Sequence, residues 1–259
     1  MNRQITRCAG RVFGTASVLS CTLLIACGST PEESEVVQGR KLFETKALSQ
    51  SHLNDYTCTT CHDTVASVPL SKKAGGALAG VTLRSEFWGG QVAELLRSVN
   101  ACRASFMGDN QPLSADNRQA HVLYAYLTSL EPGDAKPISF TVVNTIDPLP
   151  RGETPEAISE ATIRGQVLYA QTCQYCHGAL HDGSGRLNTR VPILPEDSIA
   201  AHVQYSPRVQ RLIFTEKIRH GLFLGYDGVM PPFSTEVLSD SELSDVLEAL
   251  GVTGVEPSQ

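Results

Sequence analysis

The 259-residue sequence predicts a mostly α-helical fold built from two similar units in tandem. Three observations predict it. First, a glycine followed four residues later by an aromatic occurs twice, in Gln38-Gly39-Arg40-Lys41-Leu42-Phe43 and in Arg164-Gly165-Gln166-Val167-Leu168-Tyr169. Second, the pentapeptide Cys58-Thr59-Thr60-Cys61-His62 returns as Cys173-Gln174-Tyr175-Cys176-His177. Third, each unit closes on an apolar stripe of helical period, while alternating runs of the kind that make half-buried strands are few.

The chain opens with Arg3, Arg7 and Arg11 and no acid, then runs apolar from Val12 to Ala26. This is the pattern of a secretory signal over residues 1–26, too short for a membrane span. Its end, Leu24-Ile25-Ala26-Cys27, resembles the bacterial lipobox, with Cys27 as the acylated first residue of the mature chain. Val18-Leu19-Ser20-Cys21 fits more loosely, and an ordinary signal peptide beside an incidental cysteine is the plainer alternative. Gly28 in place of Asp is the residue that favours the outer membrane in enteric bacteria. Several acyl chains on Cys27 would anchor the protein to a membrane without a spanning helix. Residues 27–35, rich in Ser, Thr, Pro and Glu, read as a polar tether. The expected location is the bacterial cell envelope, on its periplasmic side.

Residues 36–130 and 156–252 are the two expected domains, each within the usual domain size. In each opening helix the aromatic shares a face with the glycine. Glycine inside a helix costs about 1 kcal/mol relative to alanine, so close approach of a crossing helix is the expected return. The closing helices are expected over Ser114–Leu130 and Ser239–Leu250, each behind a serine start signal, with Asp116 and Glu242 in their first turns. Between the units, 131–155 holds five prolines and little periodicity, which suits an extended linker lying across both domains.

C-x-x-C-H is the attachment sequence for c-type haem: two thioethers hold the porphyrin edge and the histidine binds iron from one side. Zinc is the rival chemistry of Cys pairs, but zinc sites close two pairs spaced by roughly 15 to 20 residues. Here the pairs lie more than a hundred residues apart, each with its own His. Covalent haem is therefore expected on Cys58 and Cys61 and on Cys173 and Cys176, with His62 and His177 as iron ligands.

Opening glycine helix, haem motif, Met-bearing segment and terminal helix together resemble the class I cytochrome c fold, twice over. The resemblance covers nearly all of 36–251 and is closer in the second unit. In the first unit the opening glycine stands eleven residues farther from its motif. Met230-Pro231-Pro232-Phe233, 53 positions after His177, is similar to the segment that supplies the distal methionine in that family. A core methionine is the bland alternative. In the first unit Met107, 45 residues after His62, takes the matching place. However, Val99-Asn100-Ala101-Cys102 with Met107-Gly108 resembles a segment of dihaem thiosulfate dehydrogenases, in which a cysteine at this place binds the catalytic haem. Cys102 is therefore the alternative ligand to Met107, with His52 or His121 behind both. The family's basic signature after that cysteine is replaced here by Arg103-Ala104-Ser105-Phe106-Met107.

Several single residues have two readings. Trp88 either walls the first haem or packs a core. Arg186 is a propionate partner or a solvated cation. His181, His202 and His220 are expected at the surface or near a propionate, and Arg97 and Arg103 as solvated helix residues or as positive charge beside a sulfur substrate. Of eight cysteines, Cys8 and Cys21 leave with the signal, Cys27 takes lipid and four hold haem, so Cys102 has no partner. Loss of the three signal arginines takes the net charge from −6 to −9. That acidity argues against nucleic acid and suits a redox partner with a basic docking face. The functional expectation is a dihaem electron carrier with two covalently bound haem c groups. A thiosulfate dehydrogenase-like enzyme using Cys102 is the alternative, and the chain is short for a dihaem peroxidase.

Overall fold

The structure, a computed structural model, describes residues 33–65, 71–130, 140–141, 147–221 and 229–255. The expected signal with Cys8 and Cys21, the acylated Cys27, residues 27–32 of the tether and most of 131–146 lie outside them. The described residues hold helices and no strand, with two isolated bridges, Asp63–Ala77 and Phe87–Val92. None of these helices is long and apolar enough to cross a membrane.

Helix α1 (Glu35–Glu44) starts where the Ser34 hydroxyl accepts the Val37 N–H. The chain then makes a short 3-10 turn, Lys46–Leu48, and an extended stretch before α2 (Cys58–Cys61), which accounts for the eleven extra residues between Gly39 and its motif. Helix α3 (Leu95–Ser105) precedes α4 (Arg118–Ser129). The closing helix of this half begins later than expected. Asn117, not Ser114, is its cap, and its side chain accepts the Gln119 N–H. Ser114 instead accepts the Asn117 N–H through its carbonyl, so Ser114–Asn117 is a turn, and Asp116 lies outside the helix.

The second half repeats the order more tightly. Helix α5 (Pro155–Thr172) has Thr154 as cap and Pro155 at its first position, where a missing N–H costs nothing. It runs almost directly into α6 (Gln174–His177). A short α7 (Glu196–Ala200) leads to α8 (Pro207–His220), capped by Ser206, and α9 (Asp240–Ala249) closes the fold. Ser239 and Glu242 form a reciprocal capping box at the start of α9, as the serine signal predicts.

Both glycines sit where one helix crosses another. A Cβ on Gly39 would stand 2.7 Å from the Tyr126 Cβ and run into the Val122 carbonyl of α4. A Cβ on Gly165 would stand 2.9 Å from the Ala249 Cβ and run into the Asp245 carbonyl of α9. The aromatics four residues on, Phe43 and Tyr169, are 1% and 2% exposed and anchor the two cores. Phe43 packs on Tyr126 with ring centres 5.3 Å apart.

Residues from Glu33 onward form one compact unit, and its two cores exchange side chains. Ala74 belongs to the core built on Tyr169, Phe214 and Leu243, while Cys176 and Leu187 pack on the core built on Phe43, Tyr56 and Leu123. Of the expected linker, Thr141 donates to Glu236 and accepts the Thr235 N–H, whereas Phe140 lines a cavity built mostly by the first half, with Pro231 and Pro232 of the second half also in its wall.

Candidate functional site

The first motif makes a single helical turn, and His62 leaves it in extended conformation. Its Nδ1 lies 2.9 Å from the Gly75 carbonyl oxygen. A carbonyl only accepts, so Nδ1 carries the proton and Nε2 keeps the lone pair that a metal needs. Gly75 is part of this arrangement, because a Cβ there would stand 2.7 Å from Nε2 and closer still to Nδ1 and Cε1. Burial pushes the His62 pKa down to about 4, which keeps the ring neutral and able to ligate.

A cavity of about 350 Å³ opens on this motif. Cys58, Cys61 and His62 line it, and so do Cys102 on α3 and Met107 just beyond it. Met107 is 6% exposed. Its carbonyl accepts the Ser49 hydroxyl at 3.0 Å, which pins its backbone beside the cavity. Burial pushes the thiols of Cys58 and Cys102 up to about 12, so both are protonated. Trp88 meets both of its readings: it is on the cavity wall and packs on the first core, stacking on Phe106 at 6.2 Å. His52 and His121 are exposed and take no part in the lining. Two thiols, one imidazole with a free Nε2 and two sulfur candidates around an apolar chamber are a donor set that fits covalent haem.

The second motif is built alike. Cys173, Cys176 and His177 lie on or beside α6, and the His177 Nδ1 stands 2.9 Å from the Pro192 carbonyl oxygen. Burial lowers the His177 pKa as well. Gly178, at φ +72°, turns the chain sharply behind the histidine, and its carbonyl accepts the Tyr169 hydroxyl at 2.9 Å. Met230 packs on the same core that contains Cys173. The backbone of Met230–Pro232 presses on Gly221, where a Cβ would lie 2.8 Å from the Pro231 carbonyl carbon.

Three expectations change, those for Arg103, Arg186 and His220. Arg103 is not solvated: it is 3% exposed, lines the same cavity as Cys102 and donates to Asp109 at 2.7 Å. Arg97 is exposed, as expected. Arg186 is half-buried and donates to the Val191 carbonyl. His220 is not at the surface but fully buried, 3.0 Å from the Glu216 carboxylate. His181 pairs with Glu196 in the open, and the His202 ring lies 2.9 Å from the Lys217 ammonium.

Two kinds of functional residue escaped the sequence reading. The carbonyls that orient the histidines lie 13 and 15 residues downstream in loops with no shared motif, and only the Gly75-Gly76 pair hinted at a close approach. The other kind is the buried arginine. Arg211, Thr215 and Arg219 recur every four residues on α8, which looks like a solvated face, yet all three are buried.

No curated protein matches the chain. Residues 160–248, about a third of it, match the family model described as cytochrome C oxidase, cbb3-type, subunit III. That span contains α6 with its thiols and anchored histidine, the Met230 segment and most of α9. Residues 160–248 are therefore a c-type cytochrome domain, of the kind that carries covalently bound haem c and transfers electrons.

Proposed function

We propose that the chain is a dihaem c-type cytochrome that passes single electrons between redox partners of the bacterial cell envelope. The observation that carries this reading is the repetition at His62 of what the cytochrome domain does at His177. Each histidine follows a C-x-x-C turn, and each gives Nδ1 to a main-chain carbonyl at 2.9 Å. Residues 36–130 are then a second class I cytochrome c domain, with its own helix pair crossing at a glycine.

In this reading Cys58 and Cys61, and Cys173 and Cys176, would form the thioethers, while His62 and His177 would bind iron through Nε2. Met230 would supply thioether sulfur to the second iron, and Met107 to the first. Haem c supplies a one-electron Fe(III)/Fe(II) couple when bound. The chain's contribution is to keep the imidazoles neutral and oriented, to exclude water and to offer thioether sulfur, which favours reduced iron and raises the potential. Cys102 lines the same cavity as Met107 and is the alternative ligand there. The enzyme reading that rests on Cys102 is weakened by Arg103, whose charge is already taken by Asp109. Acylation at Cys27 would hold the protein on the periplasmic side of a membrane, and a net charge of −9 would favour partners with a basic face.

Haem stoichiometry tests the reading. Purified holoprotein should give two haem c per chain by alkaline pyridine absorbance, and the C58S/C61S double variant one. One haem in the unaltered protein would overturn the dihaem assignment. Low-temperature EPR of the oxidised protein then separates the ligands: a narrow spread of g-values marks thiolate from Cys102, and a wide one marks methionine.

A further inference from the structure

We propose that Arg219 is a positioning residue for the distal sulfur, a buried guanidinium that holds the Met230-bearing segment against the end of α8. The inference rests on the reading of Met230 as an iron ligand.

Arg219 is 0% exposed and sits on the last turn of α8. Its Nη1 donates to the carbonyls of Phe233, Ser234 and Leu238 at 3.1, 3.4 and 2.6 Å, and its Nη2 donates to the Asp240 carboxylate at 2.6 Å. One planar group thus grips both ends of the loop between Met230 and α9. Two further contacts hold the near end. The Phe233 N–H donates to the Ile218 carbonyl at 2.9 Å, and Gly221 lets the Met230–Pro232 backbone lie directly on the helix terminus. Burying a full charge is costly, and the site repays it only with several well-placed acceptors. Those acceptors are inward-turned carbonyls of one loop, so the loop's path and the arginine are fixed together. A lysine ammonium offers no planar fork and does not span them.

The same device stands beside the other sulfur. Arg103 is 3% exposed near the end of α3 and donates to the Gln111 carbonyl, the Asp109 carboxylate and the Leu48 carbonyl. Met107 lies within the span so held, with its N–H on the Arg103 carbonyl at 3.2 Å. The two loops share no sequence pattern, yet each has a buried arginine from the preceding helix paired with an aspartate of the following segment. A general need for stability does not place that pair twice at the sulfur-bearing loop; a need to hold the sulfur in position does.

The test uses full-length ferric holoprotein and its near-infrared sulfur-to-iron charge-transfer band, with imidazole as a competitor for the methionine side of iron. In R219K, one of the two iron sites should lose the band at imidazole concentrations about tenfold or more below those needed for the unaltered protein. The midpoint potential of that site should fall, and helix content by far-ultraviolet circular dichroism should not change. Should R219K not accumulate, D240N keeps the guanidinium buried and releases only its outer end, and imidazole affinity should rise by about threefold. Unchanged imidazole affinity in whichever variant is obtained would overturn the clamp. Absence of the band from the unaltered protein would instead overturn the ligand reading beneath it.

Discussion

His62 and His177 each give Nδ1 to a carbonyl that arrives from a loop downstream, and that single bond decides which nitrogen is left for a metal. At His62 the loop comes so near that only glycine fits at position 75. In G75A the new methyl group would overlap the imidazole, and the ring is the part able to move. If the chain carries two haems as proposed, we expect the variant to keep its second site intact while the first iron changes from low to high spin, read by EPR of the oxidised protein. Overpacking a filled site also costs about 1–3 kcal/mol, measurable by denaturant unfolding. Unaltered low-spin signals at both sites would refute the role given to Gly75. The histidines themselves were legible because five contiguous residues carry their chemistry. Their carbonyl partners were not, since any residue has a carbonyl and only the folded loop says which one arrives.

Helices α1 and α4, and α5 and α9, cross with the glycine backbone of one against a carbonyl of the other. Sequence propensity and packing make opposite forecasts for G165A. Alanine in a free helix position would stabilise by about 1 kcal/mol. At this crossing its Cβ meets the Asp245 carbonyl and the Ala249 side chain, and we expect a net loss of about 1–3 kcal/mol in denaturant unfolding. A gain in stability would show that the helices can part without cost. This much of the fold was legible, because a glycine four residues before a buried aromatic in a helical run has few other uses. The start of α4 was not. Ser114 and Asn117 both carry capping side chains, and the choice between them depends on Asn100, whose amide donates to the Leu113 carbonyl and accepts the Leu113 N–H. The buried stripe of α8 is illegible in the sequence for a related reason: arginine on a periodic face signals solvent unless the carbonyls that will satisfy it are already known.

At the scale of the whole molecule, the two halves meet over a face that no local pattern announces. Lys72 of the first half donates to Glu242 at 2.6 Å and to the Val237 carbonyl, tying the capping box of α9 to the other half. Lys73 stands 5.0 Å over the Tyr175 ring, between the two cysteine pairs. Asp55 accepts from Asn188 at 2.9 Å and from Arg190 at 3.1 Å across the face, and from Lys46 within its own half. The partners are more than a hundred residues apart, so reading each segment alone leaves them as ordinary surface charges. The hydrogen bond from Lys46, helped by Arg190 and Asn188, holds the Asp55 carboxyl below its ordinary 3.8. A depressed folded-state pKa means that the unfolded chain binds the proton more readily. The stabilisation is therefore present above about 3.8 and fades as pH falls through the folded value. Because these groups are partly open to solvent, D55N should cost only about 0.5–1 kcal/mol near neutral pH. In thermal unfolding of the holoprotein, the gap between D55N and the unaltered chain should shrink as pH falls below 3.8. A gap that stays constant over that range would mean that the carboxylate charge contributes nothing to holding the halves together.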